Sequence, residues 1–180
     1  MKHIFSKKKL IIVFPILAIV VLGGWILFAV QTSVNLKVYT QINSNIKKYL
    51  EETYDRKGDI KNLSKPIYVK NHAIITGIYN TQAGSSGFII YFDKKKIVPH
   101  RYEIEGSLTN ISIGKVNMDQ QKLEGEDVIT IVGFELPANI TQYEIEGLKQ
   151  TINVNDGKIF NVILVDHQND SIYNIGLLDK

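Results

Sequence analysis

The run from Leu10 to Val30, LIIVFPILAIVVLGGWILFAV, constrains this chain more than any other feature, because it holds no charged side chain for 21 positions. A helix of about 20 apolar residues is what a bilayer core requires at roughly 1.5 Å per residue. A cleavable leader would have a shorter apolar region, roughly 7–15 residues, ending in a small-x-small pattern. Here Leu27 spoils cleavage after Ala29, and the chain has no cysteine for a lipid-modified start. The sequence therefore predicts an uncleaved anchor over 10–30. Pro15 falls in its first turns, where a missing amide costs least, and Gly23-Gly24 fits ordinary anchor composition.

Lys2, Lys7, Lys8 and Lys9 precede the run, and no acidic residue occurs before Glu51. The positive-inside rule then keeps residues 1–9 in the cytoplasm and sends the remainder outward. Taking those four lysines from the 21 basic residues leaves 17 against 18 acidic ones, so the outer part is near neutral. That balance argues against a nucleic-acid binder, which needs a basic surface to neutralise phosphates. Without cysteine, a core alone has to hold the exported part, and roughly 125 residues suffice for one.

Residues 31–56 read as a juxtamembrane helix running on from the anchor. Tyr39, Ile42, Ile46, Tyr49 and Thr53 recur at steps of three and four, with Leu50 and Tyr54 beside them. Such a stripe serves either a short dimerising coiled coil or packing on the chain's own sheet; barely two heptads favour the sheet. Gly58 is the expected stop.

From 57 to 180 the periodicity changes from helical to alternating. Strands are expected at 67–69, 73–79, 88–92, 97–105, 108–113, 128–134, 143–145, 151–154, 159–165 and 172–178. Asn155-Asp156-Gly157 has the composition of a type I′ turn, Asp93 to Lys96 reads as another turn, and Asn80 to Gly87 as a flexible loop. Met118 to Asp127 reads as a loop or short helix. The expected class is α+β: a transmembrane helix continuing into a juxtamembrane helix, then a mainly antiparallel β ectodomain. Tyr102-Glu103-Ile104-Glu105-Gly106 returns as Tyr143-Glu144-Ile145-Glu146-Gly147, which leaves open a duplicated β unit or a coincidence between similar strands.

Those pentapeptides hold the only paired carboxylates. On regular strands Glu103 and Glu105, or Glu144 and Glu146, would share a face about 6–7 Å apart, a spacing compatible with glycoside hydrolysis. Alternation with Tyr and Ile instead puts them on the solvated face. His72, His100 and His167 lack metal-site spacing, and Ser85-Ser86 lies outside a G-x-S-x-G elbow. Lys94-Lys95-Lys96 with His100 and Arg101 is a basic tip that suits an anionic polymer or headgroup, and equally a solvated turn. N-x-S/T triplets begin at Asn62, Asn110, Asn139 and Asn169, a pattern of little weight here. No catalytic, cofactor-binding or metal residue is assigned, and no cofactor is expected.

A basic tail, an anchor, the helix Ile46-Lys47-Lys48-Tyr49-Leu50-Glu51-Glu52-Thr53-Tyr54 and strands closing on Phe88-Ile89-Ile90-Tyr91-Phe92-Asp93 resemble small single-pass surface proteins of Gram-positive bacteria. That resemblance covers the first half and implies a cystatin-like or PepSY-like helix-on-sheet domain that binds or inhibits rather than catalyses. The expected function is a non-enzymatic interaction module at the bacterial cell membrane. Its partners would be the lipid bilayer through residues 10–30 and a protein or cell-envelope polymer. The alternatives are a structural subunit of a secretion or conjugation assembly and an envelope glycan hydrolase.

Overall fold

The structure is a computed structural model that describes residues 7–55, 57–96, 98–145, 150–165 and 175–177, with side chains between 15 and 165. It begins with α1 (Lys7–Gln31) and α2 (Tyr39–Tyr54). The strands β1 (Gly58–Lys61), β2 (Ile67–Val69), β3 (His72–Thr81), β4 (Gly84–Lys94) and β5 (Tyr102–Ile111) follow. The remainder is β6 (Val116–Leu123), β7 (Glu126–Gly133), β8 (Gln142–Ile145), β9 (Gln150–Asn153), β10 (Ile159–Val165) and β11 (Ile175–Leu177).

The expected anchor needs correction. Among the described residues no helix is long and apolar enough to cross a membrane. The transmembrane and single-pass assignments fall with it. The helix does not run on into the next one either. Thr32 to Val38 is irregular, because Val34 leaves to exchange backbone hydrogen bonds with Tyr102, its N–H donating to the Tyr102 carbonyl at 2.7 Å. α2 therefore starts at Tyr39, and it ends at Asp55 in a left-handed conformation (φ 48°) rather than at Gly58.

Three antiparallel sheets and one helix stack in layers. The first sheet has the order β1-β3-β4-β5, with β2 sharing the β3 edge; the second is β10-β7-β6 and the third β11-β8-β9. One face of the first sheet, through Ala73, Ile75, Phe88, Ile90 and Phe92, meets Ile42, Ile46 and Leu50 of α2. Its other face, through Ile74, Ile78, Ile89 and Tyr91, meets Val128 and Val132 of β7. The far side of β7, Ile129 and Ile131, packs on Tyr143, Ile145 and Ile152 of the third sheet. Strands β3, β4 and β7 are buried on both faces, which explains their unbroken apolar runs.

Local chemistry sets the connections. At Gly77 a Cβ would lie 2.6 Å from Cζ of Phe88, its partner across the pair, so the ring occupies the place of a side chain. Between β1 and β2 the edge of β3 is served by Ser64, whose Oγ accepts from the Thr76 N–H at 2.9 Å while its own N–H donates to the Thr76 carbonyl at 2.8 Å. The Asp156-Gly157 turn forms as expected, with φ of 51° and 68°. It joins strands of two different sheets instead of a hairpin.

Several segments differ from expectation. The stretch 80–87 is no flexible loop but a tight hairpin turning at Gln82-Ala83, with Thr81 paired to Gly84. Residues 118–127 belong to the hairpin β6–β7, where Glu124 and Gly125 supply φ of 48° and 84° at the turn. The expected strands 97–105 and 108–113 merge into one shorter strand, β5, which runs from Tyr102 through Gly106 to Ile111; residues 98–101 and 112–113 lie outside it, and residue 97 lies outside the described residues. The repeated pentapeptide does not mark two like units: the first copy sits in β5 at the edge of a sheet, the second begins in the short central strand β8. Glu146, His167 and Asn169 lie outside the described residues.

Candidate functional site

Clefts open at both ends of the first sheet. β4 runs the length of that sheet, so the ends stand about 33 Å apart at roughly 3.3 Å per residue.

The charged end is built by a bulge. Tyr91 pairs with Gly106 and Phe92 with Ile104, leaving Glu105 unpaired between them. The regular alternation that would align Glu103 with Glu105 is broken there. Glu103 is ion-paired with Lys95, whereas Glu105 brings Oε2 to 3.1 Å from Nδ1 of His72, with Asp93 Oδ1 at 3.9 Å. His72 is 5% exposed. Neither of its nitrogens makes a formed hydrogen bond, so the approach to Glu105 is close but misaligned. His72, Asp93, Lys95 and Glu105 line a cleft of about 550 Å³ together with Lys94, Lys96 and Glu124. The two carboxylates thus face separate partners, Lys95 and His72, instead of flanking one reacting bond. Among the described residues no group of three or more His, Cys, Asp or Glu is placed to hold a metal.

The basic tip is largely committed as well. Lys95 is held by Glu103, and Arg101 Nη1 donates to the Ser33 carbonyl at 3.1 Å. With the Val34–Tyr102 bridge, this fixes the 94–102 connection against the chain leaving α1. His100 faces a different hollow, beside Leu36 and Tyr102.

At the opposite end, the C-terminal turn of α2 and the β3–β4 hairpin enclose a pocket of about 210 Å³. Leu50 and Phe88 form its floor and Tyr54 and Tyr79 its walls; Ser85, Ser86, Thr109 and Asn110 stand around it. A second irregularity of β5 makes the space. Leu108 pairs with Ile89 and Ile111 with Gly87, so Thr109 and Asn110 (φ 62°) bulge away from β4. Pairing with β5 stops at Gly87, and among the described residues the backbone of Gly84 to Ser86 meets no strand on that side. Tyr54 is oriented by Ser107, its Oη lying 3.2 Å from the Ser107 Oγ. Burial raises the Tyr79 phenol above its ordinary range, with Glu51 adding to the effect, so it remains a neutral wall at physiological pH.

Sequence reasoning found none of this pocket as a site. Ser85 and Ser86 lie in a stretch whose composition signals a loop, and Asn110 stood out only as a glycosylation triplet. The left-handed residue Asn110 beside Thr109 is the one local hint of a bulge.

No protein-family model, no curated protein and no solved structure matches the chain.

Proposed function

We propose that this chain is a non-catalytic binding module held at the outer surface of a bacterial membrane by its apolar N-terminal helix. The observation that carries the reading is the exposure of α1: Ile16, Leu17, Ile19, Val20, Trp25 and Phe28 all stand open, at up to 69% for Ile19. Among the described residues no stripe of that helix is polar, which favours an apolar medium against it. Lipid is such a medium. The layered β body then sits beyond the helix, with the Lys94–Arg101 connection beside the junction and the tyrosine-walled pocket at the far end of the sheet. On this reading the first half is the helix-on-sheet unit of the surface proteins it resembles.

The test is flotation of the full chain with phosphatidylglycerol–phosphatidylethanolamine vesicles. The chain is expected to rise with the lipid, and a Val20→Glu, Leu27→Glu variant to stay in the dense fraction with its β core intact by circular dichroism. A wild-type chain that remains dense sinks the attachment.

A further inference from the structure

We propose that the pocket between α2 and the β3–β4 hairpin binds a single uncharged sugar ring, as one unit of an envelope glycan. The inference rests on the binding-module reading and adds the ligand class.

Three features of the pocket converge on it. The first is the absence of formal charge among the described lining residues, which are aliphatic, aromatic, hydroxyl or amide, in a chain where 22% of residues are charged. A desolvated ionic ligand needs a countercharge, and the described lining offers none. The second is the arrangement of polar and apolar parts. A pyranose has an apolar C–H face and a rim of hydroxyls; Leu50, Phe88 and the tyrosine rings suit the face, while Ser85, Ser86, Thr109 and Asn110 suit the rim. Their side chains make no hydrogen bond among the described residues, so their donors and acceptors are available. The open edge of β4 adds backbone groups to the same wall. The third is size: about 210 Å³ lies below the roughly 300–1,000 Å³ of pockets for drug-sized ligands, which fits one ring and not a larger body. Because the pocket lies at the end of the sheet away from α1, a polymer chain reaches it without approaching the lipid surface.

The experiment titrates the full chain in vesicles with chitotetraose and with maltotetraose, followed by calorimetry, alongside a Ser86→Ala, Asn110→Gly variant. Glycine tolerates the φ of 62° at position 110, so that pair removes hydrogen-bonding groups and leaves the bulge intact. Tyr54→Ala removes one wall, and its melting temperature reports any damage to the fold. Saturable binding of at least one oligosaccharide is expected, weakened about tenfold or more in both variants. Absence of binding into the millimolar range, or binding indifferent to these substitutions, overturns the sugar site and leaves the flotation result standing. Capture in the same pocket of a Ser/Thr-rich uncharged peptide in place of either sugar overturns the ligand class alone. Shortened oligosaccharides in the mass spectrum would instead overturn the non-catalytic reading itself.

Discussion

His72 and Glu105 face each other across a strand irregularity, Nδ1 to Oε2 at 3.1 Å, and the imidazole is buried while the carboxylate is half in water. The bulge in β5 delivers the carboxylate to a histidine that has no formed hydrogen bond of its own.

Removing that carboxylate is expected to strand the imidazole. Glu105→Ala should cost about 1 kcal/mol in urea unfolding, a modest figure because half the carboxylate is solvated. Introducing His72→Leu with it should recover most of the loss, since an apolar side chain needs no partner there. A double-mutant cycle measures the coupling; simple additivity of the two changes would show that the pair does not interact.

Tyr91 lies buried between the first and second sheets, its Oη donating to Asp119 Oδ2 at 2.7 Å and lying 3.2 Å from Thr130 Oγ1. Burial pushes this phenol far above its usual range; the Thr130 hydroxyl opposes the shift and the Asp119 carboxylate adds to it. A folded-state pKa above the unfolded value means stability that is complete below about pH 10 and declines as the pH climbs beyond it, because only the unfolded chain ionises there. Alkaline unfolding should therefore show this loss, with a shallower slope in Tyr91→Phe. At neutral pH the same substitution should cost about 1–2 kcal/mol by leaving Thr130 and Asp119 short of a partner. An unchanged alkaline slope would contradict the assignment.

Gly77 and Gly106 make a matched pair of tests in two strands of the first sheet, on either side of β4. A Cβ at Gly77 meets the Phe88 ring at 2.6 Å, so Gly77→Ala should lose about 1–3 kcal/mol through overpacking. Gly106 has nothing within 4 Å of its notional Cβ, so Gly106→Ala should be neutral or slightly stabilising by restricting the unfolded chain. Thermal melts of the two variants decide the matter, and equal shifts would refute the packing account.

Ile46 is fully buried between α2 and the first sheet. Ile46→Ala should cost about 2–5 kcal/mol, whereas Tyr39→Ala, on the exposed first turn of the same helix, should cost little. Equal, small losses would move the stripe to a partner chain.

Much of the framework was legible in residue order. The 3.6-residue stripe of Ile42, Ile46 and Leu50 locates α2 and its buried face, and alternation or apolar continuity locates β3, β4, β7 and β10. What eluded sequence reading depends on distant partners. β6, Val-Asn-Met-Asp-Gln-Gln-Lys-Leu, is polar because it is an edge strand, and only its pairing with β7 makes it a strand. Val34 leaves the helical path because Tyr102 accepts it, 68 positions later in the chain. The bulges at Glu105 and at Thr109-Asn110 decide where both clefts lie, and neither leaves a periodicity that marks it in advance. The pentapeptide echo misled for the same reason: like sequences took unlike neighbours.

Burial of β7 on both faces removes the usual safeguard against misalignment. In a half-solvated strand, a shift of one residue turns the apolar set toward water and is rejected at once. Val128-Ile129-Thr130-Ile131-Val132 offers no such protection, since a slipped copy still presents a branched apolar side chain to each neighbouring layer. For β7 the singular point is Thr130 meeting the Tyr91 hydroxyl; for the equally apolar β3 and β4 of the first sheet the points are Ser64 reaching the Thr76 backbone and Gly77 lying under the Phe88 ring. Those small or polar residues act as checkpoints of conformational identity. Replacing Thr130 with valine would preserve shape and volume while erasing the hydroxyl that tells one alignment from the next, so its signature would be a heterogeneous or aggregating fold and not a uniformly weaker one.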